Sequence, residues 1–163
     1  MFSVIIPCYN EINSIPILLE SFEKIIDDPS IEVILVDNGS TDGSTGLLEE
    51  LIPKYKFARS IRIFPNKGYG DGIYQGILAA KGEYIGWTHA DLQTDPNDVI
   101  KAIEIIKSLN NPRKIFVKGW RTKRPIFDAF FSYGMALFES IYLGTFLGEI
   151  NAQPNLFHKD LLK

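Results

Sequence analysis

Glu32-Val33-Ile34-Leu35-Val36-Asp37, followed at once by Asn38-Gly39-Ser40-Thr41-Asp42-Gly43, decides the fold class. A short apolar run closed by turn residues reads as a buried strand. Upstream, Phe2–Ile6 is a similar run that Pro7 is expected to stop. Between the two, Asn13-Ser14 offers a helix cap, and Ile15, Leu18, Leu19, Phe22, Ile25 and Ile26 recur at helical spacing before Pro29. Downstream the same alternation continues. A helix is expected over 45–57, a strand over Ser60–Phe64, a helix over Gly70–Ala80 and a strand over Tyr84–Thr88. A helix entered through Asp95-Pro96 and running to Leu109, then a strand over Lys114–Lys118, complete the series. Strands alternating with helices at short intervals define an α/β protein with a parallel sheet covered by helices.

In such sheets ligands sit beyond the C-terminal ends of the strands. The polar clusters of this chain fall there: Pro7–Asn13, Asp37–Asp42, Asn66–Gly72 and His89–Gln93. Four strand ends aiming polar groups at one edge favour a site, although loops are polar in any case.

Composition narrows the classes. The 163 residues suit one domain, and a domain of this size buries roughly 68–70% of its unfolded surface. Apolar residues make up 45% and charged residues 23%, ordinary for a globular chain and unlike a disordered or fibrous one. The net charge of −3 does not suit a nucleic-acid coat. One Cys excludes an internal disulfide, and one Cys with two His cannot build a Cys-rich zinc site. A cytosolic, reducing setting is expected. The N-terminus lacks the positive region of a signal peptide, and no stretch of 18 uncharged apolar residues signals a membrane span.

Several motifs are missing. Gly68-Tyr69-Gly70-Asp71-Gly72 is not the dinucleotide fingerprint, and neither a P-loop nor a nucleophile elbow is present. Cys8, at a strand end, has no motif-supplied base and reads as a small apolar residue. The informative stretch is His89-Ala90-Asp91-Leu92-Gln93. In an extended chain residues 89, 91 and 93 face the same way, and their imidazole, carboxylate and amide oxygen could hold a divalent cation that offsets diphosphate charge. An Asp-x-Gln loop capping the next helix is the plainer reading of the same residues.

Four motifs together resemble those of family-2 glycosyltransferases, near the branch that transfers sugars to dolichyl or polyprenyl phosphate. They are Ser3-Val-Ile-Ile-Pro-Cys-Tyr-Asn-Glu11, Val36-Asp-Asn-Gly-Ser-Thr-Asp42, Asn66-Lys-Gly-Tyr-Gly-Asp-Gly72 and Ala90-Asp-Leu-Gln93, in order across about residues 2–125. The resemblance implies a GT-A fold of the nucleotide-diphospho-sugar transferase kind, a three-layer α/β sandwich with a mostly parallel central sheet. It implies a UDP- or GDP-sugar donor, a divalent metal (Mg2+ or Mn2+), inversion at the anomeric carbon, and a polyprenyl-phosphate or glycan acceptor in cell-envelope glycan synthesis.

Residue by residue, it implies that Pro7, Tyr9 and Glu11 line the nucleoside pocket and that Asp37 contacts base or ribose. Asn38, Lys67, Gly70 and Ala90 fall in the matching donor-binding motifs. Asp91 would hold the metal with Gln93 beside it, and Arg121, in Lys118-Gly-Trp-Arg-Thr-Lys-Arg124, would meet donor phosphates, for which a planar guanidinium is suited. Asp91 and Arg121 are the expected catalytic pair.

This chain departs from the family pattern at three places. His89 stands where the usual Asp-Ala-Asp has its first acid, and imidazole prefers softer cations than magnesium. His89 is therefore expected to be a weaker ligand or a phosphate donor. Asn38 replaces the second acid of Asp-Asp-Gly-Ser. Asn155 stands where an Arg is common. These replacements keep open a second class, a protein that binds a nucleotide sugar without turnover. A nucleotidyltransferase would want a Gly-rich, basic loop after the first strand, and Cys8–Asn13 has no Gly, Lys or Arg.

Residues 1–125 are the expected donor-binding core, with 126–163 an amphipathic helical part of the same domain. Within it, Pro125–Ile150 carries a wide apolar surface including Phe127, Phe130, Phe131 and Phe138. Packing on the sheet and lying against a membrane, at its cytoplasmic face, are the two readings of that surface.

Overall fold

A computed structural model describes residues 1–110, 112–120, 140–142, 144 and 152–163. Arg121 and most of Pro125–Ile150 lie outside the described residues.

The expected alternation is present: β1 Phe2–Cys8, α1 Ser14–Ile25, β2 Ile31–Asp37, α2 Ser44–Leu51, β3 Ala58–Arg62, α3 Tyr69–Ala79, β4 Tyr84–Trp87, α4 Pro96–Ser108, β5 Phe116–Lys118 and β6 Asn155–His158. They form one six-stranded sheet in the order β3-β2-β1-β4-β6-β5. β1 through β4 are parallel, and β6 runs antiparallel to both β4 and β5.

The side-chain alternation of β1 and β2 sorts the core into two layers. Val4, Ile6, Val33 and Leu35 face α1, α2 and α4, meeting Leu18, Phe22, Leu48, Ile103 and Ile106. Ile5, Ile34 and Val36 face the other way, with Ile77 of α3 packed against them. The result is a helix–sheet–helix sandwich. Gly76 lets α3 approach: a Cβ there would stand 2.3 Å from Cγ2 of Ile5.

Some boundaries differ from expectation. Pro7 does not stop β1. Residues 3, 5 and 7 turn their backbone polar groups toward β4, as the Thr88 N–H bond to the Ile5 carbonyl shows. The β4 ladder ends at Ile5, so the N–H that Pro7 lacks has no partner to lose. α2 ends at Leu51 instead of running to residue 57, and Pro53 sits in the tight turn Ile52–Lys54 that follows. β3 lies two residues earlier than expected, because its register pairs Ala58 with Val33 and Arg62 with Asp37. The strand expected at Lys114–Lys118 starts only at Phe116. β6 was not signalled by the sequence pattern at all. Asn13 does not cap α1 with its side chain, whereas Asp95 caps α4 by accepting the Asn97 N–H at 2.9 Å.

Among the described residues, no helix is long and apolar enough to cross a membrane.

Candidate functional site

Register brings the functional loops to one edge. Cys8 pairs with Asp37 and Ile5 with Trp87, so the chain leaves β1, β2 and β4 side by side. Between these exits lies a cleft of about 230 Å³, lined by Pro7, Cys8, Tyr9, Glu11, Asn38, Asn66, Gly68, Tyr69, His89, Ala90 and Asp91.

The loop after β1 is tied to the loop after β2. The Asn10 N–H donates to Ser40 Oγ at 3.0 Å, the Glu11 N–H to Ser44 Oγ at 3.1 Å and the Ile12 N–H to Asp42 Oδ2 at 3.1 Å. In return Asn10 Oδ1 accepts the Thr41 N–H at 2.8 Å. Asn10 itself takes a left-handed φ of 57°. These ties leave Tyr9 half exposed over the cleft. Glu11 starts α1: its carbonyl accepts the N–H groups of Ser14 and Ile15, and its Oε2 accepts the Ser14 hydroxyl at 2.7 Å.

Asp37 is buried at the end of β2 and is outside the cleft lining. Its Oδ1 accepts the Ser40 N–H at 2.9 Å, its Oδ2 accepts the Thr45 hydroxyl at 2.6 Å, and Arg62 Nε lies 3.7 Å away. Asp37 thus organises the β2 exit. Its neighbour Asn38 is the residue that reaches the cleft. Asn38 Nδ2 donates to the Gly68 carbonyl at 2.8 Å, while its buried Oδ1 has no hydrogen-bond partner among the described residues.

Beyond β4 the backbone is a turn, not an extended strand. Leu92 has φ +61°, and Asp91 Oδ1 accepts the Gln93 N–H at 3.0 Å. The expected alternation of residues 89, 91 and 93 on one side therefore does not hold. His89 and Asp91 line the cleft and Gln93 does not. Lys67 and Gly70 are exposed in the loop and first turn leading into α3, outside the lining. Asn155, buried in β6, donates through its Nδ2 to the Ala152 carbonyl at 3.2 Å.

Sequence reasoning missed Tyr69. Its ring stacks on that of His89, and burial, helped by the charge of Asp91, pushes its phenol up to about 12. The signal available was its place inside the Asn66–Gly72 motif. Burial, with the charges of Glu11 and Asp37 adding to it, also pushes the Cys8 thiol far up. An inert Cys8 agrees with the sequence reading.

Among the described residues, no three His, Cys, Asp or Glu side chains gather to hold an ion. The described residues alone thus do not build a complete protein cage. One exposed carboxylate, Asp91, with an imidazole beside it fits the other mode, in which one or two side chains and substrate phosphates share the cation. A larger groove of about 430 Å³ lies at the opposite edge of the sheet, where Glu32 pairs with Arg59 and Asp28 with Lys107.

Residues 3–158 match the family model described as Glycosyl transferase family 2, and the chain belongs to that family. Among curated relatives, undecaprenyl-phosphate 4-deoxy-4-formamido-L-arabinose transferase of Aeromonas hydrophila is 36% identical over 108 residues, 64% of this chain and 33% of the relative. Dolichyl-phosphate beta-glucosyltransferase of Dictyostelium discoideum is 29% identical over 129 residues, 74% of this chain and 39% of the relative. The chain therefore spans well under half the length of these relatives. Among solved structures, a mannosyltransferase from Pyrobaculum calidifontis in complex with GDP-Man and Mn2+ matches with TM-score 0.70 and 21% identity, covering 99% of this chain and 45% of that one. Glucosyl-3-phosphoglycerate synthase of Mycobacterium tuberculosis in complex with UDP matches with TM-score 0.72 and 20% identity, covering 99% and 58%. These likenesses establish the GT-A fold.

Proposed function

We propose that the chain forms the donor-binding core of a metal-dependent, inverting glycosyltransferase that moves a sugar from a UDP- or GDP-sugar to a polyprenyl phosphate. The observation that carries this reading is the convergence of Tyr9, Glu11, Asn38, His89 and Asp91 on one cleft at the strand ends. The relatives, an undecaprenyl-phosphate and a dolichyl-phosphate sugar transferase, support the acceptor class. The Mn2+ in the mannosyltransferase complex supports the metal.

Asp91 would hold the cation together with the donor diphosphate, with His89 beside it. A bound Mg2+ or Mn2+ supplies charge neutralisation for the departing diphosphate. The turn fixed by the Gln93 N–H keeps the Asp91 carboxylate at the mouth of the cleft. Lys67 and Arg121 are the basic groups proposed to meet phosphate oxygens. The acceptor phosphate oxygen attacks the anomeric carbon as the bond to the diphosphate breaks, and the nucleoside diphosphate leaves with that electron pair. A phosphate acceptor is already anionic near neutral pH, so the chain need supply no strong base. The apolar stretch Pro125–Ile150 is proposed to meet the lipid at the cytoplasmic face of a membrane.

The test is incubation with UDP- and GDP-sugars and undecaprenyl phosphate in Mn2+ or Mg2+. A sugar-phosphate lipid extractable into organic solvent is expected, and Asp91→Asn should lower its formation at least a hundredfold (~3 kcal/mol). Nucleotide-sugar binding with no lipid product would replace transfer with binding alone. Product formation unaffected by Asp91→Asn would remove Asp91 from the mechanism.

A further inference from the structure

We propose that Gln153 is a positioning residue for the cation end of the cleft: its amide holds Trp87, the last residue of β4, by main chain and side chain at once, and so fixes the root of the turn that carries His89 and Asp91. This rests on the reading of the cleft as a donor site that shares a divalent cation.

Gln153 lies just before β6, whose Asn155 closes the ladder with β4 by pairing with Trp87. Pro154, between them, has no N–H with which to carry that ladder further. The Gln153 side chain reaches Trp87 instead. Its NH2 donates to the Trp87 carbonyl at 2.8 Å, and its Oε1 accepts the Trp87 indole N–H at 3.2 Å. The reverse orientation would set oxygen against oxygen and NH2 against the indole N–H, so these two contacts orient the amide. A carboxylate at this position would accept the indole N–H but repel the carbonyl. An aliphatic chain would serve neither.

The peptide that Gln153 grips is held at both ends. Its carbonyl belongs to Trp87 and its N–H to Thr88, and that N–H donates to the Ile5 carbonyl of β1 at 3.0 Å. The Trp87 ring is wedged edge-on against Phe116 and Phe157, with centroids 6.3 and 6.0 Å away. His89 and Asp91, both in the cleft lining, follow directly. The turn beyond is short and bonded to itself through Asp91 Oδ1 and the Gln93 N–H, so a displaced root moves the carboxylate with it.

Gln153 also backs the exit of β5. The Gly119 N–H donates to the Pro154 carbonyl at 2.7 Å, and a Cβ at Gly119 would stand 2.0 Å from the Gln153 carbonyl oxygen. The chain runs on from there to Trp120 and Arg121. One residue thus ties the strand exit that bears the carboxylate to the strand exit that leads to the basic group.

The experiment is calorimetry of the whole chain with UDP and with GDP over a range of Mn2+ concentrations. Gln153→Leu removes both bonds to Trp87. It should raise the Mn2+ needed for half-maximal nucleotide binding by about tenfold to a hundredfold, the usual effect of losing a group that orients a metal ligand. Trp87→Phe keeps a ring and loses only the indole bond, so it should fall between wild type and Gln153→Leu. A loss of fold stability alone would not move this Mn2+ dependence. NMR reads the contact itself. The chain has two indoles, and Trp120 is 70% exposed. With Trp120→Phe to assign the signals, the Trp87 indole N–H should exchange with solvent more slowly than that of Trp120, and Gln153→Leu should abolish the difference.

Unchanged Mn2+ dependence in Gln153→Leu, or in Trp87→Phe should the first variant not fold, would overturn the inference and leave the donor-site reading standing. A Trp87 indole that exchanges as fast as Trp120 in the unaltered pair would do the same. Failure of wild type to bind either nucleotide at any Mn2+ concentration would overturn both.

Discussion

The rings of Tyr69 and His89 stack with centroids 5.2 Å apart and planes 20° from parallel, joining the first turn of α3 to the exit of β4. Both residues line the cleft, so the stack forms part of its wall. Ring pairs of this kind contribute about 0.5–1.5 kcal/mol beyond simple burial. Tyr69→Leu and His89→Ala should each weaken UDP or GDP binding. The double variant should fall short of their sum by a coupling in that range, read by calorimetry in a double-mutant cycle. Strict additivity would mean the two rings act separately.

The same contact gives a spectroscopic prediction. Partial burial of Tyr69, which stays 42% exposed, with the Asp91 charge as the smaller cause, lifts its phenol from 10.0 to about 12. The folded chain then keeps a proton that the unfolded chain releases across that window, so this group's contribution to stability is lost as pH rises through it. Phenolate absorbance of wild type minus that of Tyr69→Phe should show one tyrosine titrating late. Asp91→Asn should bring it partway back, leaving the larger shift due to burial. A difference curve centred at 10.0 would contradict both causes.

Cys8 tests the burial of the cleft floor. It is 1% exposed, its Sγ donates to the Ile6 carbonyl at 3.3 Å, and burial holds its thiol far above the reactive range. A thiol-reactive dye should leave the native chain unlabelled near neutral pH and label it fully in denaturant. Labelling of the native chain should proceed only at the rate of structural opening. Rapid native labelling would mean that the floor between β1 and the cleft is open.

How far the sequence could be followed depended on the range of the interactions that decide each feature. The apolar runs of β1 and β2 and the helical spacing of α1 are local, and they were legible. Pro7 misled because its cost depends on a neighbour: the β4 ladder stops at Ile5, so nothing is lost at residue 7. β6 was hidden because four residues after Pro154 carry too little pattern, and only pairing with β4 and β5 makes them a strand. Asp91 reached the cleft as expected, while Gln93 did not, because the positive φ at Leu92 breaks the alternation. Asp37 and Asn38 are adjacent polar residues with no sequence feature to rank them. Only the structure shows Asp37 spent on Ser40 and Thr45 and Asn38 left with an acceptor that no described residue meets.

Glu32 makes the acid limb of stability predictable. It is buried at the edge of the sheet opposite the cleft, where it accepts the Ser3 hydroxyl at 2.6 Å, Arg59 Nε at 2.9 Å and the Lys81 N–H at 2.7 Å. Burial alone would raise its carboxyl, but the hydrogen bonds from Arg59, Ser3 and Lys81 together outweigh it and hold the group below its ordinary 4.5. A lowered folded value means that its contribution is present above the ordinary value and is lost as pH falls through the folded one. Glu32→Gln should cost about 1–3 kcal/mol at neutral pH by leaving the Arg59 side unmatched. Urea titrations should also show less dependence on pH below 4.5 than in wild type. An unchanged acid limb would mean that Glu32 is not the group that titrates there.

Two glycines should answer to alanine with opposite signs. At Gly76 the added methyl would meet Ile5 Cγ2 at 2.3 Å, Ile5 Cγ1 at 3.1 Å and Val36 Cγ2 at 3.2 Å. Ile5 and Val36 are fully buried between the sheet and α3, so neither can yield without moving the helix. Overpacking of this kind costs about 1–3 kcal/mol, more than the helix propensity gained. At Gly46, exposed on α2, a Cβ meets nothing within 4 Å among the described residues. There only the backbone entropy of the unfolded chain changes, and Gly46→Ala should stabilise by about 0.5–1 kcal/mol. In a chain of this size each kcal/mol moves Tm by about 2–4 °C, so thermal melts resolve both signs. Gly76→Ala should also shift α3 away from β1 and carry Tyr69 with it, weakening UDP or GDP binding, which Gly46→Ala should leave unchanged. Equal effects of the two variants on nucleotide affinity would show that the seat of α3 on Ile5 does not set the geometry of the cleft.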